Sequence, residues 1–101
     1  MVQVIVDTNA LVYAAKKRQD LNLTIDGQIL IPNLVIKELE KLAKTAVKGA
    51  DRGAAKLALQ IIQHKNWKQI KLENGHTDTR IKEYAKKHRC KIYTFDKQLK
   101  K

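Results

Sequence analysis

A single cysteine, Cys90, rules out an internal disulfide and fits a reducing compartment. No apolar run approaches the ~20 residues that a membrane helix needs, so no membrane association is expected. The first residues lead directly into a strand, without a charged-then-apolar leader, and a soluble cytoplasmic protein is the expectation. Proline occurs once and glycine four times, all between candidate elements, and there is no repeat, linker or low-complexity tract. Acidic residues are also few. Ten Asp and Glu stand against 21 Lys and Arg, a formal net charge of +11. That balance favours a polyanionic partner whose affinity falls as salt rises, although a lysine-rich solvated surface would give the same count.

The 101 residues suit one domain with one core, spanning 1–101. Residues 2–6 form an apolar run broken only by Gln3, as expected of a strand buried on both faces. Thr8 can cap a helix over residues 9–17. Ile29, Leu30 and Ile31 make a second strand, stopped by Pro32, and Asn33 can cap a helix over residues 34–47. Val35, Leu39, Leu42 and Ala46 share one stripe of that helix. Residues 48–53, with two glycines, break it, and a further helix follows over residues 54–64 with Ala58, Ile61 and Ile62 inward. Residues 68–72 alternate as a partly exposed strand. Asp78 caps a helix that aligns Ile81, Tyr84, Ala85 and His88. A fourth strand covers residues 91–94, and a last helix begins over residues 97–101. The order β-α-β-α-α-β-α-β-α implies a mostly parallel, three-layer α/β/α fold with a central sheet of about four strands.

Four carboxylates occupy informative places in this order: Asp7, Glu38, Asp78 and Asp96. Strand ends and the helix starts that follow them share one edge of a parallel sheet, so these acids can converge there. Gathered carboxylates repel one another and cannot all stay ionised without a cation. An oxygen-only set suits Mg²⁺ or Mn²⁺. Each acid also has a plainer reading. Asp7, Asp78 and Asp96 can be turn or N-cap residues, and Glu38 can pair with Lys41 three residues on.

The set gains meaning from its surroundings. Val4-Ile5-Val6-Asp7-Thr8-Asn9, Ile31-Pro32-Asn33-Leu34-Val35-Ile36-Lys37-Glu38-Leu39, Asp78-Thr79-Arg80-Ile81 and Ile92-Tyr93-Thr94-Phe95-Asp96-Lys97-Gln98-Leu99 resemble the PIN-domain nucleases, in order and over nearly the whole chain. The resemblance implies a metal-dependent endoribonuclease acting on single-stranded or locally unpaired RNA. Asp7, Glu38, Asp78 and Asp96 match the acidic catalytic and metal-binding set, and Asn9 and Thr94 match the polar positions that orient it. Glu38-Leu39-Glu40-Lys41-Leu42-Ala43, Ala54-Ala55-Lys56-Leu57-Ala58-Leu59 and His88-Arg89-Cys90-Lys91-Ile92-Tyr93 are most similar to the archaeal and eukaryotic branch that processes small-subunit ribosomal RNA. Two alternatives stand beside that branch. One is a VapC-type toxin held by an antitoxin protein, and the other is a non-catalytic PIN-like RNA-binding protein.

Three features depart from the family pattern. Phe95 stands where a small or polar residue is more usual, Thr79 replaces a frequent second acid, and the chain stops early at Lys101. The early stop implies a shortened domain with an open sheet edge, which a second copy can pair with as a homodimer. Lys86, Lys87 and Arg89 form the candidate RNA-binding run. Lys16, Lys17 and Arg18, or Lys97, Lys100 and Lys101, are the alternatives. Cys90 reads as a core residue, His64, His76 and His88 as surface residues, and Trp67 and Tyr13 as packing residues that could also stack on bases.

Overall fold

The computed structural model describes residues 2–94. Asp96, Phe95 and the helix expected over residues 97–101 lie outside the described residues. Nine elements follow one another: β1 (Gln3–Val6), α1 (Thr8–Lys17), α2 (Leu21–Thr24), β2 (Gln28–Pro32), α3 (Asn33–Thr45), α4 (Gly49–Lys65), β3 (Lys68–Ile70), α5 (Thr77–His88) and β4 (Lys91–Tyr93). The strands make one sheet in the order β3-β2-β1-β4, with every pairing parallel. Val4 registers with Ile29 on one side and with Lys91 on the other.

The order fixes where the layers lie. From β1 the chain steps through β2 to β3, then jumps back across the sheet to β4 on the far side of β1. Parallel crossovers keep one hand, so reversing the direction of travel moves the connecting helix to the opposite face. Accordingly α1, α3 and α4 pack on one another, while α5 packs against β4. The inner strands carry the core: Ile5, Val6, Leu30 and Ile31 are fully buried, with Val35 and Leu39 of α3 and Ile81 of α5 against them. Each such side chain contributes roughly 1.5–3 kcal/mol relative to an exposed position. No helix among the described residues is long and apolar enough to cross a membrane.

Several boundaries differ from expectation for local reasons. The glycines at 49 and 53 do not break the chain, because α4 already begins at Gly49. Its first turn carries Asp51, favourable at the positive end of a helix. Lys16 of α1 binds the Asp51 carboxyl and holds it below the usual carboxylate range. Arg52 donates from Nη1 to the carbonyls of Ala46 (2.6 Å) and Val47 (3.1 Å), tying the end of α3 to the start of α4. The short helix α2, capped by Asp20, has too few residues to show a period. Trp67 is held by Asn22 of this helix, which accepts from its indole N–H at 3.0 Å. Cys90 is half-buried rather than fully in the core, and burial pushes its thiol up.

Asn33 does not cap α3. Its side chain reaches across to the segment after β3, accepting from Leu72 N at 2.7 Å and donating to Leu72 O at 3.2 Å. This two-point clamp holds the segment that leads to α5. Asn33→Ala leaves both backbone groups of Leu72 without that partner. It should lower unfolding free energy by about 1–3 kcal/mol in urea titrations, with an unchanged slope.

Candidate active site

β1 ends at Val6, and the chain turns at once into α1, so residue 7 stands at the carboxyl end of the central strand. Asp7 is only 4% exposed. A buried carboxylate is costly unless hydrogen-bonded. Its Oδ1 accepts from Ala10 N at 2.9 Å, which makes Asp7, not Thr8, the N-cap of α1. Its Oδ2 accepts from the hydroxyl of Thr94, just past β4, and Asp7 N donates to Tyr93 O at 3.3 Å. The acid thus joins β1, α1 and β4.

Thr8, expected as a cap, is the first residue of α1 and turns its hydroxyl to α3. It donates to Glu38 Oε1 at 2.6 Å. That bond replaces the expected pairing of Glu38 with Lys41; among the described residues no ion pair joins those two. Asp78 also departs from its expected place. The cap position of α5 belongs to His76, and Asp78 lies inside the first turn. The loop before it closes tightly on Arg80, which donates from Nε to Asn74 O at 3.2 Å. Gly75 has φ +146°, and a Cβ there would stand 2.7 Å from that nitrogen. Only glycine fits both the backbone and the contact.

These segments enclose one cavity of about 420 Å³, lined by Asp7, Thr8 and Asn9 from the β1–α1 junction, Glu38 from α3, and Thr77 and Asp78 from α5. Lys41, Leu42 and Thr45 continue the α3 wall. A neighbouring cavity of about 370 Å³ shares Glu38, Thr77 and Asp78 and adds Gly75 and His76. The site lies where the strand order reverses beside β1, the usual crevice of an open parallel sheet. Three of the four expected acids and both supporting residues, Asn9 and Thr94, are therefore gathered at one sheet edge, and Asp96 lies outside the described residues. Lys86, Lys87 and Arg89 are elsewhere. They occupy the last turn and C-cap of α5, about 12 Å or more along the helix from Asp78. Thr8 and Lys41 are the lining residues whose part is not evident from sequence spacing.

The lining chemistry suits a hard cation. Every carboxylate and hydroxyl on it offers oxygen, with no thiol or imidazole among the walls of the main cavity. Among the described residues no three acidic, His or Cys side chains come close enough to enclose an ion. A hydrated ion of the Mg²⁺ type asks for less, since one or two carboxylates and several waters hold it.

The fold and cleft define an α/β domain with an acidic crevice at its topological switch point. The chain belongs to the PIN like domain family, whose model matches residues 4–101. It is 32% identical over 105 residues to ribonuclease VapC9 of Archaeoglobus fulgidus, an alignment covering 96% of this chain and 72% of that protein.

The Thr8–Glu38 bond is testable. Thr8→Val keeps the shape of a residue that is 8% exposed but deletes the donor. It should cost about 1 kcal/mol of stability by thermal melting. It should also weaken any divalent-metal stabilisation, because Glu38 loses its fixed orientation.

Proposed function

We propose that the cleft is the catalytic centre of a metal-dependent endoribonuclease that hydrolyses single-stranded or locally unpaired RNA. The observation that carries this reading is the gathering of Asp7, Glu38 and Asp78, from three separate segments, around one cavity. Family membership and the ribonuclease relative support the same chemistry. In this reading Asp7, Glu38, Asp78 and Asp96 hold Mg²⁺ or Mn²⁺. The cation, when bound, reverses the local sign towards a phosphodiester and makes water a competent nucleophile.

The chain's own residues do the positioning. Thr94 and the Ala10 N–H fix Asp7, and Thr8 fixes Glu38. The N-termini of α1 and α5 both open at the cleft, and their positive ends favour an anionic phosphate. Water adds its oxygen to phosphorus, the bond from phosphorus to the 3′ oxygen breaks, and that oxygen leaves with a proton as the 3′-hydroxyl. The other product carries the 5′-phosphate.

Two cellular roles are compatible with this chemistry. Likeness to a VapC ribonuclease over 96% of the chain favours a VapC-type enzyme, with an antitoxin protein as its partner. The stretches around residues 38–43, 54–59 and 88–93 support the ribosomal RNA-processing role instead. Growth arrest on expression, relieved by Asp7→Asn, points to the toxin role. Accumulation of ribosomal precursor on gene deletion points to processing.

Asp7→Asn should abolish cleavage of single-stranded RNA in Mn²⁺ while keeping the fold by circular dichroism. Undiminished cleavage would remove the metal-site reading. Mg²⁺ or Mn²⁺ should raise the melting temperature of the wild type, and should do so far less in Asp96→Asn. An equal rise in both proteins would exclude Asp96 as a ligand.

A further inference from the structure

A cleft walled by carboxylates repels the phosphodiester it is proposed to cut, so any cation on its wall is informative. Among the described residues, Lys41 is the one lysine or arginine that lines the cavity. It stands on α3 one turn after Glu38, and Leu42 and Thr45 share its stripe. Lys37 and Lys44, on the same helix, do not line the cavity. Three-residue spacing would let Lys41 pair with Glu38. The Thr8 hydroxyl takes Glu38 Oε1 instead, and Lys41 joins no carboxylate in an ion pair among the described residues.

Other cations are committed or distant. Lys16 binds Asp51, Lys65 stands 3.5 Å from Asp20, and Arg80 binds Glu83 at 2.9 Å. Arg52 is held by two carbonyls at the end of α3. Lys86, Lys87 and Arg89 lie at the far end of α5. An exposed lysine with no ion pair among the described residues, on the wall of a cavity lined by three carboxylates, is open to an anionic visitor.

We propose that Lys41 binds the substrate: its ammonium holds a non-bridging phosphate oxygen of the RNA strand at the mouth of the cleft. This sets the lateral position of the strand against the carboxylates. The proposal rests on the ribonuclease reading above. Lysine suits the task because its compact charge, three donors and flexible stem follow a phosphate as the strand seats, without demanding a two-point fit. Beside a divalent ion, the same charge would compete for the carboxylates. Lys41 and the metal ligands therefore differ in sign. Removing a ligand weakens metal binding, whereas removing Lys41 leaves it intact or strengthens it.

The test compares wild type, Lys41→Ala, Lys41→Arg and Lys44→Ala on one single-stranded RNA oligonucleotide. Lys41→Ala should raise KM about tenfold with a smaller change in kcat, as expected for a lost hydrogen bond to a charged group. With Ca²⁺ in place of the active metal, its log-log salt slope for binding should be shallower by about 0.7, one phosphate contact. Lys41→Arg should recover most of the affinity, and Lys44→Ala should leave KM unchanged. The rise in melting temperature on adding Mn²⁺ should be undiminished in Lys41→Ala. A structural role for Lys41 would lower the melting temperature without moving the salt slope, and that result overturns the proposal. Wild-type KM and slope in Lys41→Ala also overturn it, while leaving the ribonuclease reading in place. A wild-type protein that cleaves no RNA in either metal overturns both.

Discussion

Burying a carboxylate at the end of a central strand is unfavourable unless its oxygens find donors, and Asp7 meets that demand from two directions. The Ala10 N–H binds one oxygen as α1 begins, and the Thr94 hydroxyl binds the other as β4 ends. Because β1 lies between β2 and β4, the same residue ties the two halves of the doubly travelled sheet together. The rest of the cleft is arranged around it. Thr8 follows directly on Asp7 as α1 begins and draws in Glu38, and the return of α5 across the sheet brings in Asp78.

The charge distribution follows the same logic. The chain carries +11 overall, yet the cavity at the switch point is lined by three acids and one lysine. Several basic residues are engaged at seams between elements: Lys16 joins α1 to α4, Arg52 joins α3 to α4, and Arg80 closes the loop before α5. Exposed pairs of this kind add little stability singly. Their effect is geometric, since they fix how neighbouring elements meet. The segment before α5 is set by the Asn33 clamp on Leu72 and by Gly75, which lets Arg80 approach the loop.

Much of this was legible in the residues. The two inner strands read correctly because a strand covered on both faces must be apolar throughout, and Ile5, Val6, Leu30 and Ile31 are. The α3 stripe read correctly at Val35 and Leu39, where helical spacing meets the sheet. Errors fell where one local signal competes with another. Gly49 and Gly53 resemble a break, but Asp51 and Arg52 supply partners that start a helix there. Asp78 resembles a cap, but the tight turn at Gly75 starts the helix earlier and moves it into the first turn.

The sequence by itself determined the alternation of strands and helices, the parallel class and the junctions at which acids stand. These depend on short-range periodicity and on residue type, which a linear reading contains. Tertiary structure alone decided which helix face each acid meets and which partner each one takes. Thr8 and Glu38 are 30 positions apart and Thr94 and Asp7 are 87 apart, and no spacing rule relates such residues. Their meeting follows from the strand order β3-β2-β1-β4, which places β4 beside β1 and opens the cleft where the direction of the chain reverses.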